Sequence, residues 1–279
     1  MTPLKTTCLI FMGIPLWFLN IKQFTGIYVC TNMNSIIKAL RKNWAKYLIE
    51  ALVITFSIIG AFMLDNWNEE RQNRIEEQVI LAGLREEFLD NLDEVSRNIG
   101  LNEDVITATY AMIDLLRGED WLKDPDLIDS LVARVYMFGT FDAQTGISDE
   151  LISAGKLSLL TDTGLKKKLT GWSGILHNAQ EDYDIRLQLY SFILIPEFIK
   201  HFTLANGDRY LDFSSWSESY AVPSRKKTPL SHNTSDLNLL EFENILWVHK
   251  VNNDFVNLNE LNMKEYIEET LELIESNIN

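Results

Sequence analysis

The 279-residue chain has two cysteines, six prolines, four histidines and 13 glycines, and each shortage closes off a class of protein. Both cysteines, Cys8 and Cys30, stand near the start, so the long remainder has neither a disulfide framework nor a thiolate metal site. Neither follows a lipid-attachment pattern, because Lys5-Thr-Thr-Cys8 lacks an apolar lead-in and Cys30 follows a broken apolar run. His177, His201, His232 and His249 are never within four residues of one another. That spacing denies a helix the paired ligands of a zinc protease or a di-metal bundle, and each histidine reads as a surface or internally satisfied side chain. Basic charge is scarce too, with 25 Lys and Arg against 40 Asp and Glu, a net of −15. An acidic surface repels phosphates unless a local basic patch intervenes, which argues against nucleic acid as a partner.

Motifs of catalysis are missing in the same way. No Gly-x-Ser-x-Gly turn occurs, and Gly146 to Lys156 has the wrong spacing for a phosphate loop. Asp124-Pro-Asp126 lacks the ligand and glycine positions of a calcium loop. The sequence therefore assigns no catalytic residue, no cofactor and no metal.

One long apolar run is present. Tyr47 to Leu64 is 18 residues with a single charge, Glu50, one turn from its start. At ~1.5 Å per residue a helix of this length covers ~27 Å, close to the thickness of a bilayer's hydrocarbon core. Trp44 and Tyr47 flank one end and Trp67 the other, where amphipathic rings favour the headgroup region. Lys38, Arg41, Lys42 and Lys46 precede the run, and Asp65, Glu69, Glu70, Arg71 and Arg74 follow it. The Lys and Arg excess marks residues 33 to 46 as a cytoplasmic flank and places residues 65 to 279 outside, as a single-pass signal anchor in the bilayer. Glu50 has two readings: a local pair with Lys46 that snorkels to the interface, or a contact inside the membrane for a larger complex.

Charge divides along the same line. Residues 1 to 64 hold six Lys and Arg and one Glu, whereas residues 65 to 279 hold 19 basic and 39 acidic side chains. Residues 1 to 32 have an interrupted apolar run containing Pro15 and no small-x-small cleavage site. Met33 opens a complete flank and anchor, so it is expected to be the true start, with a second membrane segment as the alternative.

Beyond the anchor the pattern is helical. Leu81, Leu84, Phe88, Leu92, Val95 and Ile99 form a one-sided stripe for bundle packing or dimerisation. The opposite face, Glu86 to Glu94, reads as a solvated acidic surface. Asn98, Gly100 and Asn102 predict a break or bend. Further helices are expected from Pro125 to Phe138, capped by Asp124, from Asp149 to Ala154, and from Asp162 to Phe192, where Pro196 kinks or ends the helix. A loop is expected near 206 to 235, followed by a closing amphipathic helix whose apolar residues are Leu258, Leu261, Tyr266, Ile267, Leu271 and Ile274. Two basic triplets, Lys166-Lys-Lys168 and Arg225-Lys-Lys227, read as local charge balance or as contacts to an anionic partner. The fold class is all-α, a transmembrane helix continuing into an extracytoplasmic bundle.

Three blocks resemble an uncharacterised bacterial family of single-pass membrane proteins, a domain of unknown function. They are Glu50 to Glu70 with Asp65-Asn-Trp-Asn-Glu-Glu-Arg71, Thr140-Phe-Asp-Ala-Gln-Thr-Gly146 with Leu151 to Leu160, and Leu169-Thr-Gly-Trp172 leading to Glu181-Asp182. The late region Leu239 to Ile274 is similar as well, so the resemblance covers residues 33 to 279. It implies no activity. It does imply an anchor motif of Glu50, Asn66, Trp67 and Asn68, and a local unit of Phe141, Asp142, Gly146, Ser153, Gly155, Lys156 and Trp172. That unit is either a capped turn packed by Phe141 and Trp172 or a recognition surface. The functional expectation is a non-enzymatic sensing or protein-interaction module that associates with itself or with another envelope protein. The alternatives are an envelope enzyme or metal-binding accessory in which Asp142, Lys156, Asp182 or the histidines converge, and a subunit of a membrane complex.

Overall fold

The computed structural model describes residues 33–211 and 226–278, with side chains from Trp44 onward. Every element among them is helical. The N-terminal extension, the side chains of Lys38, Arg41 and Lys42, residues 212–225 of the expected loop and Arg225 of the second basic triplet lie outside the described residues. The chain divides after Arg71 into two compact units. Helix α1, Met33–Leu116, contributes to both.

In the first unit no residue of the apolar run Tyr47 to Leu64 is buried. This is a helix long and apolar enough to cross a membrane. Two of its hydroxyls are satisfied within the helix: Thr55 Oγ1 donates to Ala51 O at 2.8 Å and Ser57 Oγ to Val53 O at 2.7 Å. Such back-bonding turns these two polar hydrogens onto the helix's own carbonyls.

The second unit, Gln72–Asn279, is built on three long helices. They are the remainder of α1, α4 (Thr163–Leu189) and α6 (Leu239–Asn277). Paired contacts give their directions. Phe88 meets Trp172 and Asn102 meets Arg186, so α1 and α4 run parallel. Gln78 meets Asn277, Asn102 meets Glu260 and Arg117 meets Glu243, so α6 returns antiparallel to α1. Short elements close the ends: α2 (Pro125–Tyr136), α3 (Gly146–Ser153) with a 3-10 turn at Lys156–Leu159, α5 (Ile195–His201) and a second 3-10 turn at Leu204–Arg209. Side-chain caps start the main helices: Asp124 accepts from Leu127 N at 3.0 Å, Asp162 from Leu165 N at 2.7 Å and Asn238 from Glu241 N at 3.3 Å.

Two apolar clusters form the core. One joins Leu84, Phe88, Val95, Leu169, Trp172, Met263 and Ile267; the other joins Met112, Ile128, Val132, Leu194, Phe198, Phe242 and Leu246. The Leu81 to Ile99 stripe lies in the first cluster, so it is used for packing within the chain.

Three sequence expectations are corrected here. Asn98, Gly100 and Asn102 do not break α1, which continues to Leu116, because Asn98 and Asn102 are buried and Asn102 has tertiary partners that replace its competition with the backbone. Of the two outcomes expected at Pro196, a kink or an end, the end does not occur. A π turn, Tyr190–Leu194, precedes it, Ile195 N donates to Tyr190 O five residues back, and α5 then continues. The extra residue moves the carbonyl that the proline ring would otherwise strike. Finally, Leu258 and Leu261 face outward on α6, while Ile267, Leu271 and Ile274 are buried.

Candidate interaction site

The connection from Phe138 to Asp162 is held by polar side chains of α1. Glu87 accepts from Ile147 N at 2.5 Å and Ser148 N at 3.2 Å, capping the start of α3 from another helix. Asn91 accepts from Gln144 N and donates to Gln144 O, each at 2.8 Å. Glu94 accepts from Asp142 N at 3.1 Å, and Glu77 accepts from Thr161 N and Oγ1. The acidic stretch Glu86 to Glu94 is therefore not simply a solvated face. Glu87 and Asn91 are buried in it, because their acceptors satisfy backbone donors that the loop would otherwise leave unpaired.

The seven residues of the expected local unit divide between interior and surface. Phe141 and Trp172 are buried with centroids 6.4 Å apart, and Trp172 also packs on Phe88 and stacks on Tyr266. Asp142, Gly146, Ser153, Gly155 and Lys156 are exposed. Gly155 has φ of +68°, the left-handed turn that ends α3 and that favours glycine. Lys156 pairs with Glu76 at 2.8 Å, Ser153 Oγ donates to Glu150 O, and Asp182 accepts from Asn259. Asp142, Lys156 and Asp182 thus have separate partners. Of the anchor residues, Glu50 pairs with Lys46 at 3.8 Å, and Asn66, Trp67 and Asn68 are exposed.

A buried polar layer that the sequence reading missed lies between the two apolar clusters. Glu260 of α6 accepts from Tyr183 OH at 2.7 Å and from Asn102 Nδ2 at 2.6 Å. Arg186 donates to Asn102 Oδ1 at 2.9 Å, to Asn253 Oδ1 at 3.3 Å and to the carbonyl of Gly139. Asn102 stands between the two charges and bonds to both. A Cβ on Gly139 would lie 2.5 Å from Asn98 Oδ1, so a larger residue here would have to displace the Asn98 side chain. His249 and Asn253, one turn apart, complete the layer, with Asn253 Nδ2 donating to His249 O at 2.8 Å. Burial raises the Glu260 carboxyl to about 7, against the pull of Tyr183, Arg186 and Asn102. Burial, with Arg186 nearby, lowers His249 to about 4 and leaves its ring neutral at pH 7. Arg186 itself is lowered by desolvation, and Tyr183 is raised by it. A signal for this layer was present: His249, Asn253 and Glu260 interrupt the apolar face made by Leu246, Val256 and Met263 at helical spacing.

The layer has a mechanical consequence. α6 is apolar on two opposite sides, and hydrophobicity alone does not say which side turns inward. Anchoring Asn253 and Glu260 to α1 and α4 fixes the rotation, since any other would bury them unpaired. The second side then faces solvent: Leu240 is 72% exposed, Trp247 58%, Phe255 57% and Leu258 55%. Beside it a groove of about 350 Å³ runs between the π turn and the start of α6. Leu189, Ile193, Leu240, Ile245 and Val248 line it, with His249 in its wall and Asn238, Glu241 and Asn244 at its polar positions.

A second, polar cavity of about 410 Å³ lies beside Asp129, Thr203, Asn206, Lys227 and His232. Asp129 is buried and accepts from Thr203 Oγ1 at 2.8 Å and from Asn206 Nδ2 at 2.7 Å. His232 Nε2 and Lys227 Nζ each stand 3.6 Å from it. His201 is buried against Glu197 at 3.3 Å and Asn233 O at 2.8 Å, whereas His177 is exposed. Among the described residues no three His, Cys, Asp or Glu side chains gather as a metal site. No protein-family model, curated protein or solved structure matches the chain.

Proposed function

We propose that this chain is a single-pass membrane-anchored binding module that acts by contact with protein and without turnover. In this reading the N-terminal flank is cytoplasmic, the helix around Tyr47 to Leu64 spans a bacterial inner membrane, and the helical unit works in the periplasm. The basic flank before the run and the mixed charges after it support that direction.

The observation that carries the reading is the apolar outer side of α6 with its adjoining groove, exposed on an acidic unit. Contiguous apolar surface of this kind marks interaction sites. The enzyme alternative has less behind it, because Asp142, Lys156, Asp182 and the four histidines do not converge on one described cavity.

Two measurements test the proposal. Reporter fusions after Phe88 and at the C-terminus are expected to report the outside at both points; a cytoplasmic signal would overturn the topology. A photo-crosslinking residue at Trp247 is expected to form protein adducts in intact membranes, whereas one at Glu268 forms few. Equal yields at the two positions would remove the support for α6 as the binding surface.

A further inference from the structure

A cavity of about 270 Å³ lies between α1 and the loop that follows α2. Glu94, Arg97 and Asn98 line it from α1, and Gly139, Thr140 and Asp142 line it from the loop. The three helix residues fall at i, i+3 and i+4, which a helix places side by side on one face. Drug-sized ligands occupy ~300–1,000 Å³, so this volume suits a smaller metabolite.

Asn98 sets this cavity apart. The residue is only 6% exposed, and its Nδ2 is buried with no hydrogen-bond partner. Buried amide groups are nearly always paired, because the water they lose must be replaced by another acceptor. Asn98 has no part in ending or bending α1, which continues to Leu116. An acceptor seated in the cavity that Asn98 lines would supply the missing partner.

The charges around it are also unspent. Glu94 and Arg97 are opposite charges one turn apart, yet among the described residues no ion pair joins them. Arg97 turns instead to Asp93, and Glu94 Oε1 accepts from Asp142 N at 3.1 Å. Among the described residues, Glu94 Oε2, Asp142 Oδ1 and the Nε and Nη2 of Arg97 have no partner. Two carboxylates, a guanidinium and an amide donor thus border one small space.

These groups fit one ligand chemistry. Carboxylates hold an ammonium, whereas a guanidinium and an amide N–H hold a carboxylate. A ligand with positive charge alone would leave Arg97 beside a like charge, and one with negative charge alone would meet Glu94 and Asp142. A free α-amino acid carries both charges on one carbon. We propose that this cavity binds a free amino acid as its zwitterion, with Glu94 and Asp142 on the ammonium and Arg97 and Asn98 on the carboxylate. The site goes beyond the α6 binding surface and does not depend on it. Its loop is tied to the buried polar layer, because the carbonyl of Gly139 accepts from Arg186.

The test uses the full chain in detergent, with each proteinogenic amino acid supplied singly at millimolar concentration. At least one is expected to raise the thermal midpoint and to bind in calorimetry, since a ligand of the folded state stabilises it. The amide of that amino acid lacks the carboxylate, and its N-acetyl derivative lacks the ammonium. Each is expected to bind at least about tenfold more weakly. Arg97 and Asp142 are exposed, so both can be replaced with little risk to the fold. Arg97→Gln is expected to narrow the preference for the amino acid over its amide several-fold, and Asp142→Asn the preference over the N-acetyl derivative. A change that merely loosened the fold would weaken all three ligands alike. No response to any amino acid would overturn the proposal and leave the cavity to water. An amide that binds as tightly as its parent, or preferences unchanged in both variants, would overturn it as well.

Discussion

Leu246, Val256, Met263 and Ile267 cover one side of α6, while Leu240, Trp247, Phe255 and Leu258 cover the other. Both sides are hydrophobic enough to enter a core. They differ in what interrupts them: the inner side carries His249, Asn253 and Glu260, and the outer side carries Asn244 and Asn262. The inner polar groups have buried partners on α1 and α4, and a rotation would leave those groups without them. Polar residues here choose between two apolar faces, which apolar residues alone cannot do.

The largest effect on this contrast is expected from Arg186→Met. It leaves Asn102, Asn253 and the Gly139 carbonyl buried with a donor removed and takes the nearby positive charge away from Glu260, and stability should fall by about 3–5 kcal/mol, read from denaturant unfolding of the full chain in detergent. An effect below ~1 kcal/mol would mean the layer does not hold α6.

Glu260→Gln is expected to change how stability depends on pH. A carboxyl that ordinarily titrates near 4.5 and is raised to about 7 keeps its proton in the fold while the unfolded chain loses its own. Stability from this group is therefore full below about pH 4.5 and is lost as pH rises toward 7. His249, lowered from 6.5 to about 4, acts oppositely, and its contribution is lost as pH falls from about 6.5 to 4. Removing the Glu260 titration should raise stability relative to the parent by about 3 kcal/mol between pH 4.5 and 7.5, at ~1.4 kcal/mol per pKa unit. Parallel pH profiles for the two proteins would refute the assignment.

Glu87→Ala tests the loop side of the unit. It leaves the amides of Ile147 and Ser148 without their acceptor and should cost about 1–3 kcal/mol, with faster amide exchange confined to the start of α3. The smallest stability effect belongs to the outer side. Trp247→Ser should change monomer stability by less than ~0.5 kcal/mol while abolishing adducts at α6. A loss comparable to Arg186→Met would mean that Trp247 is a core residue.

The legible parts were those set by local rules. The helix long and apolar enough to cross a membrane, the Asp124 cap of α2 and the Leu81 to Ile99 stripe follow from length, capping and periodicity. The break at Asn98 to Asn102 was misjudged because Asn and Gly weaken a helix only when nothing else engages them, and Asn102 is engaged by Glu260, 158 residues away. Periodicity groups Leu258 and Leu261 with Ile267, Leu271 and Ile274 because it finds apolar residues on a helix without ranking its two apolar faces. Glu87 looked solvated for a similar reason, since the amides it caps belong to a loop 60 residues on. The local unit was legible as an aromatic pair, Phe141 with Trp172, but the separate partners of Lys156 and Asp142 depend on the tertiary path of the chain.

The central claim is that Arg186 and Glu260 act as one buried unit that fixes α6. A double-mutant cycle with Arg186→Met and Glu260→Leu measures this directly. At pH 8, where Glu260 is ionised, the account predicts that the double variant loses about 1–3 kcal/mol less than the sum of the two single losses, because removing both charges leaves neither one unpaired. Additivity within ~0.5 kcal/mol would contradict it.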